Sequence, residues 1–398
     1  MPELLPVVKA EGLYLVDEKG NRYMDAISSW WTTIHGHSHP YIAEKIYEQA
    51  KQLGHVIFAG CTHAPAVQLA ENLLPLLPGS FSKVFYSDNG STAVEVALKM
   101  AMQLHQNQGN LRRTKIVALK NAYHGDTFGA MSVSERGVFT IAFQQYLFEV
   151  IFIEPGEELS QYSLPLHEIA CFIYEPLLQA AGGMNIYSAE WLNETICHFK
   201  QNDILCIADE VMTGFGRTGN LFASENLHHK PDIICLSKGL TGGTLPLSIT
   251  ACTQKVFDAF LSEDKQLTFF HGHSYTANPI ACAAALASLE LLQKEECLAS
   301  IEYISEQHRL FAEKLKDFAP AVSNPRAIGT VLAFELQSEQ SSYLSNLKEK
   351  VINTAMQEFV FLRPLGNTVY LMPPYCINKE ELEKLYGVLR LIINHIGS

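Results

Sequence analysis

The feature that most constrains this chain is a series of short apolar runs, each ended by polar residues and followed by a stretch of helical period. Ile116–Leu119, Ala170–Tyr174, Leu205–Ala208 and Ile233–Leu236 carry no charge, and Lys83–Tyr86 and Ser248–Cys252 read the same way with polar positions admitted. Runs this short and this apolar are strands buried on both faces. Alternating with helices, they make a mostly parallel sheet covered on each side, the signature of an α/β fold. The helix expected after the first strand, Thr92–His105, places Ala93, Ala97, Met100, Ala101 and Leu104 on one face, as packing on a sheet requires. Ahead of it, residues 7–27 read as a short β-meander turning at Asp17-Glu18-Lys19-Gly20-Asn21. A long helical stretch is expected from Ile280 to Phe318. A second α/β pattern follows, with strands expected at Ile328–Leu336, Val360–Arg363 and Val369–Met372 and a last helix from Lys379.

At 398 residues the chain can bury a core of enzyme size, and no repeat or flexible linker divides it. Charge then narrows the partners. Lysine and arginine total 29 against 42 acids, a net charge of −13, so the surface is not built to cover a phosphate backbone and nucleic acid is not expected. No basic region precedes an apolar stretch at the amino terminus, and no window approaches roughly 18 uninterrupted apolar residues, so neither export nor a membrane span is expected. The nine cysteines stand singly, several inside apolar runs and without a C-x-x-C pair, which fits buried thiols in a reducing cytoplasm rather than disulfides or a zinc site.

In open α/β sheets ligands gather at the carboxyl ends of the strands, so the residues just past each run carry the functional reading. After Lys83–Tyr86 comes Ser87-Asp88-Asn89-Gly90-Ser91-Thr92 and a helix start, with Thr92 and Glu95 at capping-box spacing. Such a turn either simply caps its helix or offers free N–H groups and the positive dipole end to a phosphate. After Ile116–Leu119 comes Asn121-Ala122-Tyr123-His124-Gly125-Asp126-Thr127, in which Tyr123 is either a packed tyrosine or an aromatic face for a ligand. Asp209-Glu210 closes a wholly apolar strand, where ionised carboxylates need partners. Lys238, flanked by small residues at the end of the next strand, is costly to desolvate unless its pKa falls or it becomes covalently bound. A helix start for a phosphate, an aromatic face, a carboxylate for a pyridinium nitrogen and a lysine for an aldehyde together make a pyridoxal-phosphate site.

Three further motifs are weighed against that reading. Gly214-Phe215-Gly216-Arg217-Thr218-Gly219 has the G-x-G-x-x-G spacing of dinucleotide loops, yet no amphipathic helix opens there and no acid ends a next strand at the required distance. His35-Gly36-His37-Ser38-His39-Pro40 lacks the carboxylate and the i, i+4 geometry of metal sites and reads as a solvated or hydrogen-bonded loop. Phe269 to Thr276 is either an entry loop for the helix from Ile280 or a second phosphate contact.

These residues carry a resemblance over nearly the whole chain. Ile207-Ala208-Asp209-Glu210-Val211, Thr213 to Gly219 and Leu236-Ser237-Lys238-Gly239-Leu240-Thr241-Gly242-Gly243 resemble the class III aminotransferases of fold type I. Ser28-Ser29-Trp30-Trp31, Tyr123 to Val133, Glu175-Pro176 with Gln179 to Met184, and Arg363-Pro364-Leu365-Gly366 with Tyr370 to Pro374 are similar to the biotin-pathway branch of that family. The resemblance implies a homodimer with active sites at its interface. Each subunit would have a large cofactor-binding domain over 36–290 and a small α/β domain built from both chain ends, 1–35 and 291–398. It implies that Lys238 carries the pyridoxal-phosphate aldehyde and moves the proton, that Asp209 holds the pyridinium nitrogen, and that Tyr123 stacks on the ring. Gly90 and Ser91 would bind the phosphate of the same subunit, while His273 and Ser274 would reach it across the interface. Trp30, Trp31, Tyr123, Asp126, Arg217, Gly272 and Arg363 would line the substrate site, with Arg363 gripping a carboxylate. The implied reaction passes the amino group of S-adenosylmethionine, or of lysine as in some members, to 8-amino-7-oxononanoate. Another ω-amine transaminase is the wider alternative. Glu175 and Arg217 look like an ion pair that switches between the two substrates. Two departures are visible: a segment with a His-Pro-Tyr-Thr stretch that usually comes first in the family does not precede Met1, and the family's threonine at the cross-interface phosphate contact is Ser274, which keeps the hydroxyl.

Overall fold

The computed structural model describes residues 4–137, 140–337 and 347–397; the first three residues of the amino-terminal stretch read above lie outside it. Its centre is a seven-stranded sheet in the order Phe81–Ser87, Ser248–Thr253, Ile233–Leu236, Leu205–Asp209, Ile169–Tyr174, Lys115–Leu119, Ile151–Ile153. Ser248–Thr253 runs antiparallel to both neighbours and the remaining strands share one direction. All six expected strands are present to within two residues. The edge strand Ile151–Ile153 was not expected, because three residues are too few to register as a pattern. Ile169–Tyr174 and Ile233–Leu236 are buried at every position, which accounts for their unbroken apolar character.

The helix Gly90–Asn107 packs on this sheet and buries all five residues expected on its inner face. Its capping box is not the expected Thr92/Glu95 pair. Asn89 is the cap, accepting from the Thr92 N–H at 3.1 Å while Thr92 Oγ1 takes the Asn89 N–H at 3.2 Å. Glu95 is thereby free to serve a neighbour: its carboxylate accepts from Thr127 Oγ1 at 2.6 Å and from the Gly129 N–H at 2.7 Å, fixing the loop that carries Tyr123 to Asp126.

The meander is present as Val7–Glu11, Tyr14–Asp17 and Arg22–Asp25, and the carboxyl-terminal strand Val360–Phe361 pairs in parallel with the last of these. Two expectations are corrected. The helical stretch from residue 280 is two helices, Pro279–Leu292 and Glu295–Leu315, because the chain leaves helical geometry at Lys294 (φ −69°, ψ 140°). The strand expected over 328–336 is a hairpin, Val322–Ile328 and Val331–Leu336, turning at Gly329 (φ +52°). Among the described residues no helix is long and apolar enough to cross a membrane.

Candidate active site

The common direction of the strands brings Ser87, Leu119, Asp209 and Leu236 to one edge of the sheet, and the loops beyond them enclose a cavity of about 520 Å³. Asp88 to Ser91, Tyr123 to Gly125, Asp209, Lys238 and Trp31 line it together with Glu175 and Thr241. The four strand-end signals of the sequence therefore converge on one space. The glycine turn forms a cradle. A Cβ on Gly90 would stand 2.7 Å from Val211 Cγ1, and one on Gly125 (φ +130°) 2.1 Å from Ser91 Oγ, so both positions pack too closely on their neighbours to carry a side chain.

Lys238 is held at φ +44°, and its Nζ stands 5.3 Å from the centroid of the Trp31 indole. Burial pushes its ammonium below the ordinary lysine range, opposed by the Asp209 and Glu175 carboxylates. Asp209 is fixed from two sides: Oδ1 accepts the Val211 N–H at 3.0 Å and Oδ2 lies 2.7 Å from His124 Nδ1. An ionised carboxylate only accepts, so His124 donates from Nδ1. The His124 Nε2 is buried with no hydrogen-bond partner. Burial pushes the Tyr123 hydroxyl well above the ordinary tyrosine range, and the charge of Asp126 adds to this. Burial raises the Glu175 carboxyl to about 7.

His124 is the functional residue that sequence reasoning passed over. It stood in a quoted motif, but nothing local tells that its ring meets a carboxylate 85 residues away. Glu175 also belongs to the cavity, and the ion pair expected between it and Arg217 is not formed. Its oxygens accept the N–H groups of Tyr123 and Ala180, each at 3.0 Å, while Arg217 donates to the carbonyls of Trp31 and Pro373, each at 3.1 Å. Backbone groups take both Glu175 oxygens and the two terminal nitrogens of Arg217, while Arg217 Nε is buried with no hydrogen-bond partner among the described residues. Arg217 is 1% exposed and, among the described residues, no carboxylate lies within ion-pair distance of it.

The other expected site residues lie apart from the cavity lining. Trp30 is half-exposed and packs under the Arg363 guanidinium at 5.4 Å, in a separate recess shared with Lys348 and Tyr370. The Asp126 N–H donates to Ser91 Oγ at 3.1 Å, tying two loops of the cradle. Gly272, His273 and Ser274 are on the loop before Pro279–Leu292 and do not line this chain's own cavity. His35 and His37 are hydrogen-bonded, to Ser288 and Asp25, and the described residues hold no metal-binding cluster. Gly214 to Gly219 forms turns and no helix, closed by the Gly216 N–H on the Leu221 carbonyl at 3.1 Å, which disposes of the dinucleotide motif.

Residues 1–393 match the family model of aminotransferase class III. The chain is a class III aminotransferase. Among curated relatives of this aminotransferase, the adenosylmethionine-8-amino-7-oxononanoate aminotransferase of Synechococcus elongatus is 45% identical, over 99% of this chain and 96% of its own length. The enzyme of the same name from Helicobacter pylori is 38% identical, over 99% and 93%. Among solved structures, the adenosylmethionine-8-amino-7-oxononanoate aminotransferase of Methanocaldococcus jannaschii superposes with a TM-score of 0.92 at 36% identity, covering 99% of this chain and 94% of that one. An amine transaminase from an uncultivated Pseudomonas species, solved in its pyridoxal-phosphate-bound form, gives a TM-score of 0.92 at 28% identity, over 99% and 95%. The donor set of this class III aminotransferase fits such a cofactor: a backbone cradle for a phosphate, a carboxylate aimed into the cavity and a buried amine. In Gly125→Ala, strain of about 1–3 kcal/mol at the cradle weakens cofactor binding by about 5- to 140-fold at 1.4 kcal/mol per decade, read by cofactor titration with the far-ultraviolet spectrum unchanged.

Proposed function

We propose that this aminotransferase moves the amino group of S-adenosylmethionine to 8-amino-7-oxononanoate, giving 7,8-diaminononanoate, by a two-stage exchange on pyridoxal phosphate held at Lys238. The observation that carries the proposal is the meeting of Lys238, Asp209 and the glycine cradle on one cavity in a chain so similar to enzymes of that name. When bound, the cofactor accepts the electron pair released as a proton leaves the substrate carbon. The Lys238 amine, whose hold on a proton burial weakens, would take that proton and return it to the neighbouring atom. Asp209 would stand against the ring nitrogen, and Tyr123 and Trp31 would bound the ring. Gly90 and Ser91 would hold the phosphate, joined across a homodimer interface by His273 and Ser274 of the partner subunit. Arg363, lying on Trp30, grips the carboxylate of the oxononanoate, since a guanidinium fork matches that planar anion. Arg217, buried with an unpartnered Nε and no ion-paired acid among the described residues, is the counter-charge for the donor's carboxylate, with Asp126 and Gly272 completing the substrate site. The reading places the reaction in the cytoplasm.

The test is the absorbance spectrum of the cofactor-loaded protein. Adding S-adenosylmethionine removes the visible cofactor band, and 8-amino-7-oxononanoate then restores it. A band that responds to lysine and not to S-adenosylmethionine overturns the donor, and one that 8-amino-7-oxononanoate cannot restore overturns the acceptor.

A further inference from the structure

The backbone beside the cavity is most strained at Ser28–Trp31, and one buried carboxylate is attached to it. Ser28, Ser29 and Trp31 have φ of +51°, +60° and +70°, and Ser29 combines its φ with ψ −78°. Three positive φ values within four non-glycine residues persist only where surrounding structure imposes them. Asp25, 0% exposed, restrains Ser29 at the centre of the turn, while Ser28 Oγ donates to the Met372 carbonyl at 2.7 Å and the Trp31 N–H to the Ile27 carbonyl at 3.1 Å. Its Oδ2 accepts the Ser29 N–H at 2.6 Å and the Ser29 hydroxyl at 3.1 Å, and its Oδ1 accepts the Ile27 N–H at 3.2 Å. His37 Nε2 lies 2.8 Å from the same Oδ2 and anchors the carboxylate from the opposite side. A buried carboxylate needs this many donors, and charge-assisted hydrogen bonds are the strong ones. Here two of the four come from Ser29 and a third from Ile27, the residue just before the turn. At the far end of that turn, Trp31 carries the face beneath Lys238 Nζ, donates from Nε1 to Tyr370 Oη at 3.0 Å and receives Arg217 on its carbonyl.

We propose that Asp25 is a positioning residue for amino transfer: its carboxylate holds the strained Ser28–Trp31 turn and so fixes the Trp31 indole against Lys238. The proposal rests on Lys238 being the reacting amine. Asp25→Asn keeps the size of the side chain and leaves one acceptor oxygen where two were used, with an N–H₂ turned toward existing donors. The Trp31 ring then loses its fixed place although the core around it is unchanged.

Quenching is read on the full-length holoenzyme in a Trp30→Phe, Trp191→Phe background, which leaves Trp31 as the one tryptophan of the three in the sequence, and kcat and KM are read in the otherwise unsubstituted holoenzyme, because Trp30 belongs to the substrate site. In Asp25→Asn, kcat falls about 10- to 100-fold with KM within about threefold, as a small misplacement at the reacting centre does. Acrylamide quenching of Trp31 rises at least about twofold as the turn opens locally. Should Asp25→Asn not fold, Ser29→Gly carries the test: it releases the positive φ and removes one hydroxyl donor, and the same two changes appear without a fall in Tm. Quenching and kcat both unchanged overturn the proposal. So does a loss of activity that follows Tm and recovers on cooling, since that is a prop to the fold and not positioning. If the unsubstituted protein performs no transfer, the functional reading fails, while the quenching result still decides whether Asp25 holds Trp31.

Discussion

Lys238→Ala abolishes amino transfer, lowering the rate by about 10⁴-fold or more, because the same amine carries the cofactor and moves the proton. The variant also lacks the visible absorbance change on cofactor loading, so two independent readouts report one side chain. Stability moves the other way. Lys238 is half-buried just past the end of a strand, and desolvation pushes its ammonium down against the pull of Asp209 and Glu175. Removing it lifts a desolvation cost and leaves the backbone of Lys238 to Thr241 where it is, so Tm stays level or rises. Transfer retained at more than a small fraction in Lys238→Ala, or a large fall in Tm, contradicts this account. Lys238→Arg does not rescue activity, since a guanidinium neither loses its proton nor takes up an aldehyde.

Asp209→Asn lowers kcat by about 10²–10³-fold, the scale expected when one preorganised electrostatic partner is removed from a buried site. The amide keeps an oxygen for the Val211 N–H but no negative charge to stand against the ring nitrogen. His124→Gln lowers kcat less, because it acts only by orienting and polarising Asp209 through the 2.7 Å contact. The double variant is no slower than Asp209→Asn alone, as residues acting as a unit are not additive. Steady-state rates of the four proteins, each loaded with cofactor, complete the cycle. Additive losses mean that His124 has a separate role at the cavity, which its buried Nε2 would then supply.

The sequence alone determined the order of buried strands and helices, the strand ends that carry chemistry, and the four residue types that meet there. Those signals are local: an apolar run, a turn, a capping residue or an isolated lysine is stabilised or penalised by its own neighbours, whatever the rest of the chain does. The tertiary structure decided what depends on residues far apart. Glu95 caps a helix that begins more than thirty positions later because the sheet brings Thr127 and Gly129 to it. His124 reaches Asp209 because their strands end at the same edge of one sheet, and Glu175 and Arg217 are held on different backbone groups, the N–H groups of Tyr123 and Ala180 for one and the carbonyls of Trp31 and Pro373 for the other. The break near residue 293 and the hairpin at Gly329 also escaped the pattern, since short interruptions leave the apolar period on both sides intact. Which polar group meets which is settled by competition among all partners brought within hydrogen-bond distance. That competition exists only once the chain has folded.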